Sequence, residues 1–508
     1  MLWIGLHLPL LSLESFLATL PDGRRDAPVA LVEAHQVVQA SASARALGVK
    51  PGLKRATALA LAPQLLLGQA DPHRDAQALA SVAHAALAFS PRVCLSPPQG
   101  VLVEVEASLR YFGGREALLR RLHAAVQPLG HVFHCVGTPT ARGSALLSRV
   151  HDGLQCADAA ALQAALDAAP VWLLGPGREH WEALQGMGLN TLGDLRSLPR
   201  AGVARRFGQA LLDELDQALG RRPDPREPIE LPAAFHSELE LFARADTTEQ
   251  VLQGAQVLLA RLIAWLSAQH AFVRRFSLQM KHEPRWRRDA RTPQHTTLEL
   301  ALAEPSRDAR HLAGLLRERL AQLTLAAPTL ELSLRASDIA RKPPPNAELF
   351  PTPRSEHEGL TRLLERLQAR LGRERVQRVL PVQDHRPEHA SRSCAAALGE
   401  GPRWPPELPR LRRQDLPATP GLARPVWVLP QALPLAEQRS MPLLDRQPLQ
   451  LLAGPERVEA GWWDGEAVER DYFIAQTQEG ALVWLYRARL PFSANAEGEG
   501  WFLQGRFG

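Results

Sequence analysis

The hydrophobic period of this 508-residue chain switches repeatedly between two proline-rich stretches, and that switching constrains the fold more than any other feature. RRPDPREPIELP (221–232) and ASDIARKPPPNAELFPTPRSEHE (336–358) read as exposed linkers, because proline and charge together resist both helix and sheet. Between them FHSELELF alternates as a strand, and 246–268 reads as a helix opened by a Thr247-x-x-Gln250 capping box. Phe276, Leu278 and Met280 then line a second strand, and Leu298, Leu300 and Leu302 a third. A helix over 306–323 and a strand carrying Leu330, Leu332 and Leu334 complete the order βαββαβ, which predicts one sheet with two helices on one face. The loop HEPRWRRDAR (282–291) joins the two central strands and places Arg285, Arg287 and Arg288 beside an aromatic residue, as either a solvated hairpin tip or a phosphate contact.

On the N-terminal side, LWIGLHL, VALVE and VVQAS read as strands and 92–105 as a strand pair. A helix at 114–127, the strand HVFHCVG and a helix from about 140 follow, so 1–170 is expected to be an α+β domain on a largely antiparallel sheet. In LSPPQGVLVEVEASLRYFGG (95–114), Val101, Val103 and Val105 alternate with Leu102, Glu104 and Glu106. The entry to that strand, Pro97, Pro98, Gln99 and Gly100, supplies no charge, nucleophile or metal ligand. VWLLGPGREHWEALQGMGLNTLGDLRSLP (171–199) reads as a helix-hairpin-helix, with Gly175, Pro176 and Gly177 turning ahead of Arg178 and Gly188 ending the first helix before Thr191 starts the next. Such glycines let amides at a helix N-terminus approach a phosphate, the chemistry of a DNA backbone clamp; an ordinary α-hairpin turn has the same pattern.

At 508 residues the chain exceeds one core, and a composition of 45% hydrophobic and 22% charged residues is that of a folded protein. Its net charge of +5 permits a polyanionic partner without requiring one. Only Lys50, Lys54, Lys281 and Lys342 among 59 basic residues are lysines, so phosphate contacts fall to arginine and a triphosphate-gripping lysine is hard to place. The apolar opening MLWIGLHLPLLSLESFL lacks a basic start and carries His7, Pro9 and Glu14, which argues against a secretion signal. No charge-free apolar run reaches the roughly 20 residues of a membrane span, so a cytoplasmic, nucleoid-associated protein without membrane contact is expected. Cys94, Cys135, Cys156 and Cys394 match no zinc or redox spacing and are expected as buried thiols.

Past the second proline-rich stretch, a Ser355-x-x-Glu358 capping box is expected to start a helix whose Leu360, Leu363, Leu364, Leu367 and Leu371 form a packing stripe. Proline- and arginine-rich sequence continues to about 450, and GPERVEAGWWDGEAVERDYFIAQTQEGALVWLYRARLP then predicts a small β-unit with a YFIAQT/ALVWLY hairpin. Trp462, Trp463 and Trp484 are expected to form its minicore, the alternative being a partner site.

Together these parts resemble a Y-family (translesion) DNA polymerase over roughly 1–336. VVQASASARALGVKPGL (37–53) is similar to the family's finger motif, LLGPGREHWEALQGMGLNTLGDL to its thumb, and the strand followed by SLRYFGG to the segment after its catalytic carboxylates. The resemblance implies an α+β multidomain fold of Y-family polymerase architecture with a C-terminal extension. Its parts would be palm and fingers over 1–170, a helix-hairpin-helix thumb over 171–222, a linker at 223–233 and a βαββαβ little finger over 234–336. A second linker at 337–355 would carry a clamp-binding motif, and 356–508 would be a partner-binding region with the small β-unit.

Against that family the acids are missing. Its Asp-Glu pair falls on Gln99 and Gly100, and its first-strand acids on His7 and Pro9; Ala42 stands where it has a tyrosine, while Arg45 remains. Phosphoryl transfer there needs two Mg²⁺ ions on carboxylates, and Gln, Gly and Pro supply no anionic oxygen. The pattern is that of a noncatalytic branch, which implies no enzyme activity, no metal and no cofactor; an active polymerase with a rearranged metal site, or a repair factor unrelated to replication, would be the alternatives. The branch implies as partners primer-template DNA bound without sequence preference, the sliding clamp, a RecA/SulA-like accessory protein and an error-prone C-family DNA polymerase. The family's clamp peptide Q-L-x-L-F is approximated by Asn346, Ala347, Glu348, Leu349 and Phe350, of which only the last two match its anchors, with QPLQLL (447–452) a poorer candidate.

Overall fold

Alternate residues of the opening strand Trp3–His7 face opposite ways, and Ile4 and Leu6, fully buried, seed the first core. A computed structural model describes residues 1–284, 293–341, 353–396, 424–489 and 500–507. The chain divides into two compact units, Met1–Arg370 and Leu371–Gly508.

In the first unit Trp3–His7 lies at the centre of an antiparallel sheet in the order Val93–Ser96, Gly100–Glu104, Trp3–His7, His134–Thr138. Helices Pro72–Leu87 and Arg115–Val126 bury Leu79, Val82, Leu118 and Leu122 against it. The strands and the 114–127 helix fall where the periodicity put them, except that the strand expected from His131 starts only at His134. Among the elements that sequence reading passed over are the strand Leu66–Gln69, which pairs parallel to Val29–Glu33, and the helix Pro72–Leu87, capped by Asp71 with proline in its first turn. Residues 171–222 are all-helical around Leu184, Leu192, Leu195, Phe207, Leu211 and Leu215.

The βαββαβ order holds: strands Phe235–Ala245, Phe272–His282, His295–Ser306 and Thr329–Ala340 form an antiparallel sheet, its third strand at one edge and its first at the other. Helices Thr248–Ala268 and Ala309–Ala321 cover one face, where Val251, Leu258, Leu262 and Trp265 meet Phe276, Leu278, Leu332 and Leu334. Among the described residues Thr248–Ala268 is the one helix long and apolar enough to cross a membrane, and most of it is buried in this core. Its Arg261, 5% exposed, reaches Gln77 Oε1 at 3.2 Å, Ser237 Oγ at 3.0 Å and the Glu238 carbonyl at 3.3 Å, while Ala264 enters the first core. The 223–233 segment is anchored as well: the Ile229 amide donates to the Val93 carbonyl at 2.8 Å, and within the segment Arg226 pairs with Asp224.

Helix Pro353–Leu371 departs from expectation in three respects. It starts two residues before Ser355, and all but its last residue falls in the first unit, so the boundary expected at 355/356 lies inside it. Its leucine stripe is not the packed face: Thr361, Glu365, Gln368 and Ala369 are buried, whereas Leu360, Leu363 and Leu371 are exposed. The inward face is set by polar partners rather than by hydrophobicity, because Glu365 accepts from the Ala303 amide and lies 2.9 Å from His311 Nε2.

The second unit is built on a seven-stranded antiparallel sheet ordered Gln447–Pro448, Met441–Leu444, Trp427–Gln438, Gly500–Arg506, Leu482–Ala488, Val468–Gln476, Gln450–Ala460. The expected YFIAQT/ALVWLY hairpin is present. The tryptophans separate: Trp484 is fully buried and stacks on Tyr472 at 4.3 Å, whereas Trp462 and Trp463 stand 73% and 54% exposed on a turn. That corrects the three-tryptophan minicore. The turn is held by a nearly buried Arg386, which bonds Asp384 at 2.8 Å and the Glu466 carbonyl at 3.2 Å, binds Asp464, and lies 5.6 Å from the Trp463 ring. All four cysteines are free, Cys94 and Cys156 buried but Cys135 and Cys394 only partly so.

Candidate nucleic-acid interface

Antiparallel register assembles the centre that the sequence pointed to. His7 closes the opening strand opposite Gly100 on one side and His134 on the other, and the next amide, Leu8, donates to the Gln99 carbonyl at 2.9 Å. Pro9 follows in the turn, so His7, Pro9, Gln99 and Gly100 share one end of the sheet. Gly100 has little room, since a Cβ there would stand 2.8 Å from the Ser96 carbonyl oxygen.

The electrostatics of this end are cationic. The His7 and His134 rings lie 6.1 Å apart, and the His134 Nδ1–H donates to the Ser148 carbonyl at 3.0 Å. Burial, then the charges of Arg149 and His134, bring the His7 pKa down to about 4, so at neutral pH His7 is uncharged. Arg149 donates to the Leu173 carbonyl at 2.9 Å and packs 5.5 Å from the Trp172 ring, which Arg178 approaches at 6.0 Å. Burial first, and then the neighbouring positive charge of Arg178, depress the Arg149 pKa against the pull of Glu214.

Divalent-cation chemistry does not fit these residues. Mg²⁺ needs hard anionic oxygens, and the four positions offer an imidazole, an amide and no charge beside a guanidinium. Among the described residues no group of three or more His, Cys, Asp or Glu side chains could hold a metal ion. Glu104 and Glu106 lie near the other end of the strand: Glu104 pairs with Trp3, four residues and about 13 Å from the Gly100 position. Glu104 is buried, accepts from the Glu106 amide at 3.1 Å and faces Arg92 at 3.7 Å, while Glu106 lies 3.8 Å from the N-terminal ammonium.

Around the helical hairpin, Gly175–Glu179 is itself a short helix rather than a turn before one. The Gly175 amide donates to the buried Glu214 carboxylate at 2.9 Å, and Glu214 also binds Arg142, so an internal anion already occupies that amide. Gly177 is a packing glycine, because a Cβ there would meet the Val171 carbonyl at 2.3 Å. Pro176 sits in the first turn, where its missing N–H costs nothing. What remains for a phosphate is Arg178, exposed beside Trp172. The second half of the motif forms as read: Gly188, at φ +78°, ends one helix, and Thr191 with Asp194 closes a reciprocal capping box on the next. Sequence reasoning missed Arg149, Arg205 and Arg206. The last two stand outward on helix Arg200–Phe207 while Val203 and Phe207 point inward, a pattern legible in RAGVARRF.

Two further groups complete the inventory. Arg45 is exposed on the short helix Ala42–Ala46, capped by Ser41. The uncovered face of the βαββαβ sheet mixes Arg275, Lys281 and Arg335 with Glu238, Glu299 and Glu331, and Lys281 is paired to Glu331 at 2.7 Å. Arg285, Arg287 and Arg288 lie outside the described residues, as do Asn346, Ala347, Glu348, Leu349 and Phe350.

The impB/mucB/samB family (IMS) matches residues 12–145. The chain is 28% identical over 477 residues to "Protein ImuB" of Caulobacter vibrioides, in each of two strains, across 91% of this chain and all of that protein. Among solved structures, a Dbh ternary complex with partially disordered substrates is 15% identical with a TM-score of 0.37, and a Dbh-Dpo4-Dbh Y-family DNA polymerase chimera is 14% identical with a TM-score of 0.38. Each covers 67% of this chain and 99% of its own. With the palm-side sheet, the hairpin-bearing helices and the βαββαβ domain in that order, the chain has an α+β multidomain architecture extended by a C-terminal sheet unit.

Proposed function

For a chain similar to Protein ImuB along nearly its whole length, we propose the role of a noncatalytic DNA-binding adaptor of translesion synthesis. It would link the sliding clamp, an ImuA-like accessory protein of RecA/SulA type and an error-prone C-family polymerase in damage-induced mutagenesis. The polymerase performs the synthesis, and this chain holds primer-template DNA in the cytoplasm, at the nucleoid. The observation that carries the reading is the sheet end where His7, Gln99 and Gly100 meet under Arg149: it supplies no carboxylate to hold Mg²⁺ and presents positive charge to a phosphate. DNA contacts are assigned to Arg178, with Arg149, Arg205 and Arg206 added by their position, and to Arg285, Arg287 and Arg288. Gly175, Pro176 and Gly177 shape the hairpin that presents Arg178. Asn346, Ala347, Glu348, Leu349 and Phe350 are assigned to the clamp, because prolines flanking a Leu-Phe pair lower the entropic cost of docking it into a groove.

The test is primer extension beside DNA binding on the same purified chain. No nucleotide is incorporated with Mg²⁺ or Mn²⁺, while primer-template affinity falls steeply with salt and changes little with sequence. Extension that follows the chain through purification overturns the noncatalytic reading, and absence of salt-dependent binding removes DNA from it.

A further inference from the structure

Helix Pro353–Leu371 is mounted with its polar side inward. Amphipathic helices bury the apolar stripe and leave charge in water. Here Thr361, Glu365 and Gln368 are 5%, 6% and 7% exposed, whereas Leu360 and Leu363 are 45% and 51% exposed, with Leu364 and Leu367 half-buried between them. The orientation is held by three contacts to the βαββαβ domain: Glu365 takes the Ala303 amide, lies 2.9 Å from His311 Nε2, and is flanked by an Arg362–Asp308 ion pair at 3.6 Å. Glu365 and His311 are both buried, so rotating the helix to hide its leucines would strand a buried carboxylate from its donors.

At 100° per residue, Leu360, Leu363, Leu364 and Leu367 form one outward ridge two turns long, about 10 Å. Thr361 and Gln368 bound the ridge on the domain side. Arg362, Arg366 and Arg370, spaced four apart, form a row on the solvent side, and among the described residues neither Arg366 nor Arg370 is paired with a carboxylate. We propose that this ridge and its arginine row are a docking surface for an amphipathic helix of a partner protein, apolar along one stripe and acidic along the flank that meets Arg366 and Arg370. The apolar spacing is that of helix-on-helix recognition, and the charge selects the partner. A second copy of this chain is disfavoured, because pairing ridge to ridge brings only arginine flanks to the contact. The inference goes beyond the adaptor reading and does not depend on it, since it involves neither DNA nor the sheet-end centre.

The experiment uses the full chain and a short fluorescein-labelled helical peptide with a leucine stripe and glutamate flanks, followed by fluorescence anisotropy. The peptide binds; a lysine-flanked version with the same stripe does not. Leu363→Ser weakens binding about tenfold or more, and Arg366→Glu with Arg370→Glu does the same while conferring binding of the lysine-flanked peptide. Because all three side chains are at the surface, thermal unfolding of the variants matches the parent, and DNA affinity is unchanged. Failure of the acidic peptide to bind, binding indifferent to these variants, or self-association of the chain abolished by Leu363→Ser each overturns the proposal.

Discussion

The two ends of a single strand pair, Trp3–His7 against Gly100–Glu104, treat charge in opposite ways. At the Trp3 end Glu104 is a buried carboxylate that earns its place structurally, accepting from a backbone amide and facing Arg92. At the His7 end the facing positions His7, Pro9, Gln99 and Gly100 carry no acid: there is a glycine without space for a side chain, and an imidazole kept neutral beside a guanidinium. Strand, sheet and register are shared, so the backbone does not account for the difference; side chains alone turn one end into a structural ion pair and leave the other neutral beside an arginine. One strand pair can therefore carry unlike chemistry at its two ends without any change of architecture.

The comparison is most strongly challenged by placing an acid where it is absent. Gly100→Glu drives a Cβ to 2.8 Å from the Ser96 carbonyl, backbone that cannot rotate away, and is expected to cost about 1–3 kcal/mol in urea unfolding. Combined with Gln99→Asp it yields no primer extension, since His7 and Pro9 still offer no anionic ligand; an extension-competent double variant would show that the backbone at this end tolerates a metal site. Next in size, Arg149→Glu reverses the field at the His7 end and raises the dissociation constant for primer-template DNA about tenfold at low salt, roughly 1.4 kcal/mol, with a shallower salt dependence. Unchanged binding would assign DNA contact elsewhere. Smallest is a pH effect. His7 has its pKa lowered from 6.5 to about 4 in the folded chain, so protonation favours the unfolded state: its contribution is complete above pH 6.5 and is lost as pH falls towards 4. His84, lowered to about 4 by burial, acts in the same direction. His7→Gln should therefore reduce, without abolishing, the loss of stability between pH 6.5 and 4 followed by thermal unfolding; an unaltered slope would place His7 in contact with bulk water.

Much of the fold was legible because it is written locally. The βαββαβ order follows from alternation at Phe276, Leu278 and Met280 and from the Thr247–Gln250 capping box, which forms as read. The sheet-end centre was legible in part: His7, Gln99 and Gly100 meet because antiparallel register brings them together once the strands are placed. Arg149 was not, since its approach to His7 depends on how the chain returns after Ala141–Leu147.

By itself, the sequence determined what each element is and which chemical groups it carries, since period, capping and turn residues act over a few positions. Tertiary structure decided which groups are spent internally. The Gly175 amide is taken by Glu214, 39 residues away; Trp484 is buried while Trp462 and Trp463 are not; and the 353–371 helix turns its leucines outward because His311 and the Ala303 amide claim Glu365. Each outcome rests on a polar partner or a packing surface distant in the chain, and a buried carboxylate held by its donors outweighs the local preference of an apolar stripe to face inward.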